Sequence, residues 1–152
     1  MRNNERMGEN SSITNTLLIS SAGAGAGRGV DVTGARRASI VVSWTGGNTT
    51  TLTLRQSASQ NAGYTALKPS TAAIVKDVDQ VQVNKEIEAN DNGQFVVAPV
   101  TGTDAGSMVI DVRMSDLKKG SRFIKIDSLA SGGVRQICAT VILDLYKSEI
   151  VG

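Results

Sequence analysis

The sequence predicts an all-β domain, an antiparallel β-sandwich or jelly-roll-like fold preceded by an extended N-terminal arm. Several runs of the chain alternate apolar and polar residues with a period of two. Glycine provides 16 of the 152 residues and aromatic residues only 3%. Short strands joined by glycine-containing turns produce this pattern, whereas a helical bundle requires apolar residues to recur at a period near 3.6.

The clearest strand signal covers residues 107–146, where three alternating runs are separated by Lys119-Gly120 and by Ser131-Gly132-Gly133. Because the connections are short, consecutive strands are predicted to pair as an antiparallel meander. The residues assigned to one face of each run are Met108, Ile110, Val112 and Met114, then Arg122, Ile124 and Ile126, then Ile137, Ala139, Val141, Leu143 and Leu145.

Two further hairpins are predicted upstream. Residues 36–44 and 49–56 flank the turn 45–48. In the first run Ile40 and Val42 share one face and Val41 and Ser43 the other, and in the second Leu52 and Leu54 point inward while Thr51, Thr53 and Arg55 face solvent. Residues 86–90 and 94–97 flank Asp91-Asn92-Gly93, and Asn-Gly is the strongest short hairpin signal. This turn also has oxygen ligands spaced as in an EF-hand loop, but the last ligand position is Pro99, so no calcium site is expected.

Between these hairpins, residues 64–67 read as a short strand that ends before Pro69. Residues 71–83 fit a helical stripe and a strand equally, so their structure stays open. Trp44 is predicted to anchor the core or its rim.

The first 29 residues are predicted to be a flexible arm and a glycine-rich hinge, followed by a single domain over residues 30–152. Residues 1–12 are polar and lack periodicity, so they cannot bury enough apolar area to order alone, and the first strand candidate covers only residues 17–20. The run 22–29 alternates glycine with alanine and arginine. It lacks the Gly-x-Gly-x-x-Gly spacing of a dinucleotide site, which leaves a flexible connection as its interpretation.

Composition argues against catalysis and against cofactors. The chain has no histidine, which removes the usual general base and the commonest metal ligand, and its single cysteine, Cys138, excludes a thiolate zinc cluster. The formal charge is only +2 with an isoelectric point near 8.8. We therefore expect no enzyme activity, cofactor, metal, small-molecule substrate or membrane span, and consider a nucleic-acid partner unfavoured.

The strand sequences resemble those of small virion proteins of tailed bacteriophages. The resemblance rests on Ser39-Ile40-Val41-Val42-Ser43, Thr51-Leu52-Thr53-Leu54-Arg55-Gln56-Ser57, Val109-Ile110-Asp111-Val112-Arg113, Ser121-Arg122-Phe123-Ile124-Lys125-Ile126 and Ala139-Thr140-Val141-Ile142-Leu143. It implies a capsid decoration, or cement, protein, made in the host cytoplasm. Such a protein is a homo-oligomer, a trimer, that binds the outside of the head and bridges neighbouring major capsid subunits.

The contact residues expected for that role are Arg2, Arg6 and Met7 in the arm, with Arg36 and Arg37 where the hinge enters the body. Two other functions stay open. One is a tail-tube, tail-terminator or head–tail connector subunit, whose ring-forming sandwich would look similar in sequence. The other is a small β-barrel that binds single-stranded nucleic acid, favoured by Arg36, Arg37, Lys118 and Lys119 but disfavoured by the few aromatic residues.

Overall fold

The structure is a computed structural model that describes residues 11–19, 25–45, 50–77, 84–97, 105–130 and 136–145. These residues form eleven strands and one short 3₁₀ helix, Met114–Asp116. In chain order the strands are β1 Ser11–Ile19, β2 Val30–Asp31, β3 Ala35–Thr45, β4 Thr50–Ser57, β5 Thr65–Ala66, β6 Ala73–Asp77, β7 Asn84–Ile87, β8 Gln94–Val97, β9 Gly106–Arg113, β10 Phe123–Ala130 and β11 Gln136–Leu145.

The strands build two antiparallel sheets. The six strands of sheet A are ordered β1-β11-β3-β9-β6-β7, and sheet B is ordered β2-β10-β4-β5, with β8 pairing β4 beside β5. All the strand pairs are antiparallel. The predicted all-β antiparallel sandwich is therefore confirmed, while a jelly-roll arrangement and a domain boundary at residue 30 stay predictions.

One hydrophobic core lies between the sheets, and the predicted alternation supplies its residues. Successive side chains of a strand point to opposite faces, so one apolar set from each long strand meets the set from the other sheet. Trp44 is buried among them, as predicted. The main core residues are Ala38, Ile40, Val42, Met108, Ile110, Val112, Ile137, Ala139, Val141 and Leu143 from sheet A, with Leu52, Leu54, Phe95, Val97, Ile124 and Ile126 from sheet B.

The predicted pairing of neighbouring strands is wrong in two places. β9, β10 and β11 do not form a meander, because β9 and β11 lie in sheet A on either side of β3 while β10 lies in sheet B. β3 and β4 do not form a hairpin either, since they belong to opposite sheets. The alternation of apolar and polar residues determines which face of a strand is apolar. It does not determine whether the next strand joins the same sheet or the opposite one, because the apolar face is buried in both cases.

The second predicted hairpin is wrong in the same way, although its turn is confirmed. β7 pairs β6 in sheet A and β8 pairs β4 in sheet B, so the chain changes sheets between them. In the turn, Asn90 Oδ1 accepts hydrogen bonds from the backbone N–H groups of Asn92 and Gln94, and Gly93 has a φ of 69°. Of the open stretch 71–83, residues 73–77 form the strand β6, and residues 78–83 lie outside the described part.

The N-terminal region contributes more to the sheets than the sequence predicts. β1 begins at Ser11 rather than at residue 17 and pairs β11 along its whole length, with a bulge between Asn15 and Leu17. The first half of β1 is polar, and its Ser, Thr and Asn residues are typical of loops and turns, so the sequence alone does not indicate a strand there.

The glycine-rich connection is also tied to the body. Gly25 exchanges two backbone hydrogen bonds of 2.9 Å with Ser128 of β10, and Gly27 N–H donates to Asp127 Oδ1 at 2.7 Å. Lys125 Nζ lies 3.2 Å from the same carboxylate. Thr53, which lies opposite Asp127 in register and is predicted to face solvent, is buried. Residues 25–29 therefore run along β10 at the edge of sheet B and are hydrogen-bonded to it through Gly25 and Gly27.

Candidate functional site

Six cationic side chains gather at one end of the sandwich, where β3 starts, β9 ends and β10 starts. We name the group Arg36, Arg37, Arg113, Lys118, Lys119 and Arg122 the basic end. Strand register brings its members together, since Arg37 lies opposite Arg113 and the start of β10 lies beside Asp31 of β2. Four carboxylates accompany them in the described structure, namely Asp31, Asp111, Asp116 and Asp144, so six positive and four negative charges leave an excess of two.

Two arginines face each other directly across the outer surface of sheet A. Arg37 of β3 is the register partner of Arg113 of β9, and both are exposed. Like charges at directly opposed positions of an antiparallel pair destabilise the sheet. Asp144 lies on the other side of Arg37 in β11, but its carboxylate binds Arg36 at 3.1 Å. The arginine pair therefore presents two guanidinium groups to solvent, and neither forms an ion pair within the described residues.

Beside the arginine pair is a cavity of about 410 Å³. Its apolar lining includes Val32, Ala35, Met114 and Leu117, and its cationic lining is Lys118, Lys119 and Arg122. An apolar surface with ammonium groups around it can receive an acidic side chain together with the apolar stem that carries it.

The loop that carries the two lysines is held by hydrogen bonds to the body. Lys118 N–H donates to Gln56 Oε1 at 2.6 Å, and Ser121 N–H closes the turn onto the Lys118 carbonyl at 3.0 Å. Gly120 has a φ of 88°, a conformation that glycine adopts without strain. Lys118 and Lys119 are therefore presented from a defined turn.

Two members of the basic end are already neutralised within the protein. Arg122 Nη2 lies 2.8 Å from Asp31 Oδ2, and Arg36 pairs with Asp144. Within the described ranges, Arg37, Arg113, Lys118 and Lys119 form no ion pair. These four side chains, which we name the open cations, are the part of the basic end that can bind a partner.

Asp31 organises the edge of the site. The Arg122 guanidinium and the Thr33 hydroxyl hydrogen-bond its carboxylate and lower its pKa from 3.8 to about 2, against a smaller opposing effect of burial. The Thr33 backbone N–H also donates to Asp31 Oδ1, at 2.9 Å. These contacts hold Arg122 at the start of β10 and the β2–β3 turn beneath it.

We expect Asp31→Asn to lower the free energy of unfolding by about 0.5–1 kcal/mol at pH 7, a small effect because water screens this largely exposed ion pair. Asparagine still accepts from Thr33, so the change mainly removes charge. Since the folded pKa is depressed, the stabilisation is complete above the unfolded pKa and is lost as the pH falls from about 4 to about 2. Urea unfolding of both proteins across this range tests it, and a difference that persists unchanged at pH 2 would contradict it.

The structure places only part of the predicted contact set. Arg36 and Arg37 lie at the start of β3, in the basic end, as parts of the folded sheet. Arg2, Arg6 and Met7 lie outside the described residues. Ser11, the first residue of β1, pairs Asp144, which in turn pairs Arg37, so β1 starts two strands away from the arginine pair.

Sequence reasoning did not bring Arg113 and Arg122 to this site. Arg113 ends one alternating run and Arg122 starts another, and both read locally as the polar residues at strand ends. Only the register of β3 with β9, two strands that are distant in sequence, brings Arg113 beside Arg37.

Signs of other kinds of site are lacking in the described parts of the chain. No group of three or more histidine, cysteine, aspartate or glutamate residues there is arranged to hold a metal ion. No helix there is long and apolar enough to cross a membrane. A second cavity, of about 270 Å³, has Lys68 and Glu88 as its only titratable lining groups. Lys68 already pairs with Asp91 at 3.0 Å.

Comparison of the chain with protein-family models, with curated proteins and with solved structures found no significant match.

Proposed function

We propose that this chain is a non-enzymatic virion structural protein that decorates the outside of a tailed-phage head and bridges neighbouring major capsid subunits. The observation that carries the proposal is the set of four open cations at one end of the sandwich. In this role the basic end docks onto acidic patches of the shell. The resemblance of the strand sequences to small phage virion proteins supplies the identity of the partner.

The arrangement suits a protein that acts through its surface. Exposed cations on a folded surface steer an acidic partner into register and suppress wrong partners more than they add affinity at any one contact. A shell presents the same acidic patch many times, so several modest contacts made by an oligomer act together as avidity. Bridging of this kind stabilises the shell, because a ligand that binds only the assembled state raises its melting temperature.

The test is the double reversal Arg37→Glu/Arg113→Glu. The two new glutamates are again like charges facing each other, so the repulsion between positions 37 and 113 is preserved. Position 37 also lies opposite Asp144, so urea unfolding of the variant is measured beside its binding to confirm that it is folded. We expect affinity for purified shells, measured by co-sedimentation, to fall roughly 10- to 100-fold, since two exposed attractive contacts become repulsive. The rise in shell melting temperature should fall in parallel.

The matched control is Lys76→Glu/Lys85→Glu, which changes the net charge equally on β6 and β7, away from the basic end. Both lysines are exposed. Binding by this control is expected to stay within about threefold of the parent protein, because long-range charge effects are screened at physiological salt. Equal loss in both variants would reject docking through the basic end, and failure of the parent protein to bind shells would reject the decoration role itself.

A second candidate, binding of single-stranded nucleic acid, is favoured by the same open cations. Among the described aromatic residues, open stacking surfaces are scarce. Trp44 and Phe95 are buried, Arg122 lies 5.2 Å from the centre of the Phe123 ring, and Lys125 Nζ lies 4.6 Å from the centre of the Tyr64 ring. If it were the function, affinity for an oligonucleotide would fall steeply and linearly on a logarithmic salt scale. If the protein were a tail-tube, tail-terminator or connector subunit, the purified protein would instead form rings of six subunits that do not co-sediment with shells.

A further inference from the structure

We propose that two copies of this chain associate edge to edge through β1, paired antiparallel about a twofold axis so that the two A sheets become one continuous sheet. The partner surface is the outer edge of β1, the edge that does not face β11. β1 is the terminal strand of sheet A, and on this edge it pairs with no other described strand. Its outward backbone N–H and C=O groups can therefore bind a further strand.

β1 differs from the other strands at the sheet edges. It has nine residues, Ser-Ser-Ile-Thr-Asn-Thr-Leu-Leu-Ile, with no charge, proline or glycine. The opposite edge of sheet A, β7, has four residues and carries Lys85 and Glu86. The edge strands of sheet B have two residues in β2 and β5 and four in β8. Short length and charge are the usual protections of an edge against pairing, and β1 has neither.

The bulge between Asn15 and Leu17 limits the pairing segment to residues 11–15, where the register with β11 is regular. Within that segment Ile13 is 64% exposed, the highest value among the large apolar residues described. Its register partner on β11 is Ile142. An isolated apolar side chain on a surface needs no explanation, but here it lies at the centre of the segment 11–15, on an edge that no other described strand covers.

A second copy is the occupant that this segment fits best. An antiparallel pair of residues 11–15 centred on the axis places Ser11 opposite Asn15, Ser12 opposite Thr14 and Ile13 opposite Ile13 of the second copy. Such an isologous contact requires a self-complementary surface. The segment meets this requirement, because it is neutral throughout and its one large apolar side chain faces its own copy.

The direct test is a disulfide formed across the axis. Residues directly opposed in an antiparallel pair have Cα atoms about 4.5–5.5 Å apart, inside the range of about 4.4–6.8 Å that a disulfide spans. Cys138 is a free thiol, so Ile13→Cys is made together with Cys138→Ala. We expect mild oxidation of this full-length variant to give a covalent dimer as the main product at micromolar concentration.

The matched control is Ile74→Cys, also with Cys138→Ala. Ile74 is 43% exposed on the outer face of the same sheet, but β6 lies between β9 and β7 and is not an edge. It should stay mainly monomeric on non-reducing gels. Equal cross-linking of both variants would reveal random collision and overturn the proposal, as would the absence of a dimer from the Ile13→Cys protein.

A second measurement uses the protein without any cysteine change. Ile13→Lys places two ammonium groups against each other at the axis, while the exposed position lets the monomer keep its fold. We expect light scattering over a concentration series to show association for the parent chain and at least a tenfold weaker association for the variant. Thermal unfolding of the two should coincide only at concentrations low enough for both to be monomeric, because association stabilises the folded state. A parent protein that is monomeric throughout, or a trimer unaffected by Ile13→Lys, would overturn pairing through β1. Neither result depends on shells, so docking through the basic end is tested separately.

Discussion

Replacing Phe95 with alanine is expected to lower the free energy of unfolding by about 3–5 kcal/mol, the range found when a buried aromatic side chain is truncated in a core. Phe95 lies at the second position of β8 and is fully buried, and its register partner on β4 is Leu52, which is fully buried too. The loss combines the transfer free energy of the ring with the cavity that the surrounding strands cannot refill.

The neighbouring residue is a control on the same strand. Val96 is 53% exposed on the opposite face of β8, so Val96→Ala should change the free energy of unfolding by no more than about 0.5 kcal/mol. Urea unfolding followed by far-ultraviolet circular dichroism measures both variants, with the dependence on urea concentration unchanged if only the native packing is affected. A Phe95→Ala variant as stable as Val96→Ala would mean that β8 does not seal the core.

The faces of the long strands could be predicted from the sequence, because side-chain alternation is a local property. Ile40 and Val42 of β3 share one face, and so do Ile124 and Ile126 of β10, as the period of two predicts, and in each strand this face is the buried one. Burial of one face is imposed by the core whatever the strand pairs with. The positions of these strands within sheets are not encoded in the same way.

The pairing errors share one physical cause. Residues 90–93 form the turn that Asn-Gly predicts, yet the strand before it joins sheet A and the strand after it joins sheet B. The turn residues determine where the chain reverses. Which of the two sheets the next strand joins depends on its pairing and packing with strands that are distant in sequence. β3 accordingly takes β9 and β11 as neighbours instead of β4.

The candidate site was predictable to the same extent. Arg36-Arg37 is visible as a pair of adjacent cations, whereas the union of Arg37 with Arg113 depends on register between distant strands. The uncharged character of β1 is visible too, but its exposure at a sheet edge appears only once β11 is known to bind it on one side. The charge or neutrality of each segment could thus be predicted from the sequence, whereas the surfaces that these segments form together could be identified only from the fold.

The second prediction of large effect is Gly93→Ala, in the turn of residues 90–93 between β7 of sheet A and β8 of sheet B. Gly93 has a φ of 69°, and a Cβ atom there would lie 2.6 Å from the Leu54 carbonyl oxygen and 2.8 Å from that of Leu67. Its own carbonyl accepts the Leu54 N–H at 2.9 Å. We expect a loss of about 3 kcal/mol or more, because the left-handed backbone becomes strained and the obstructing atoms are backbone that cannot rotate away.

Gly120→Ala separates the two causes of that loss. Gly120 has a similar φ of 88°, but a Cβ atom there would meet nothing within 4 Å, so its alanine variant should lose only about 1 kcal/mol from the backbone term. Thermal and urea unfolding of both variants give the difference, which measures how closely the turn at residue 93 is pressed against β4. Equal losses would show that the turn is loosely attached. A larger loss at Gly93 would show that a close backbone contact, which only glycine permits, holds the turn against β4. That contact would fix the point at which the chain passes from sheet A to sheet B. An Asn-Gly turn can in this way direct the following strand into the opposite sheet.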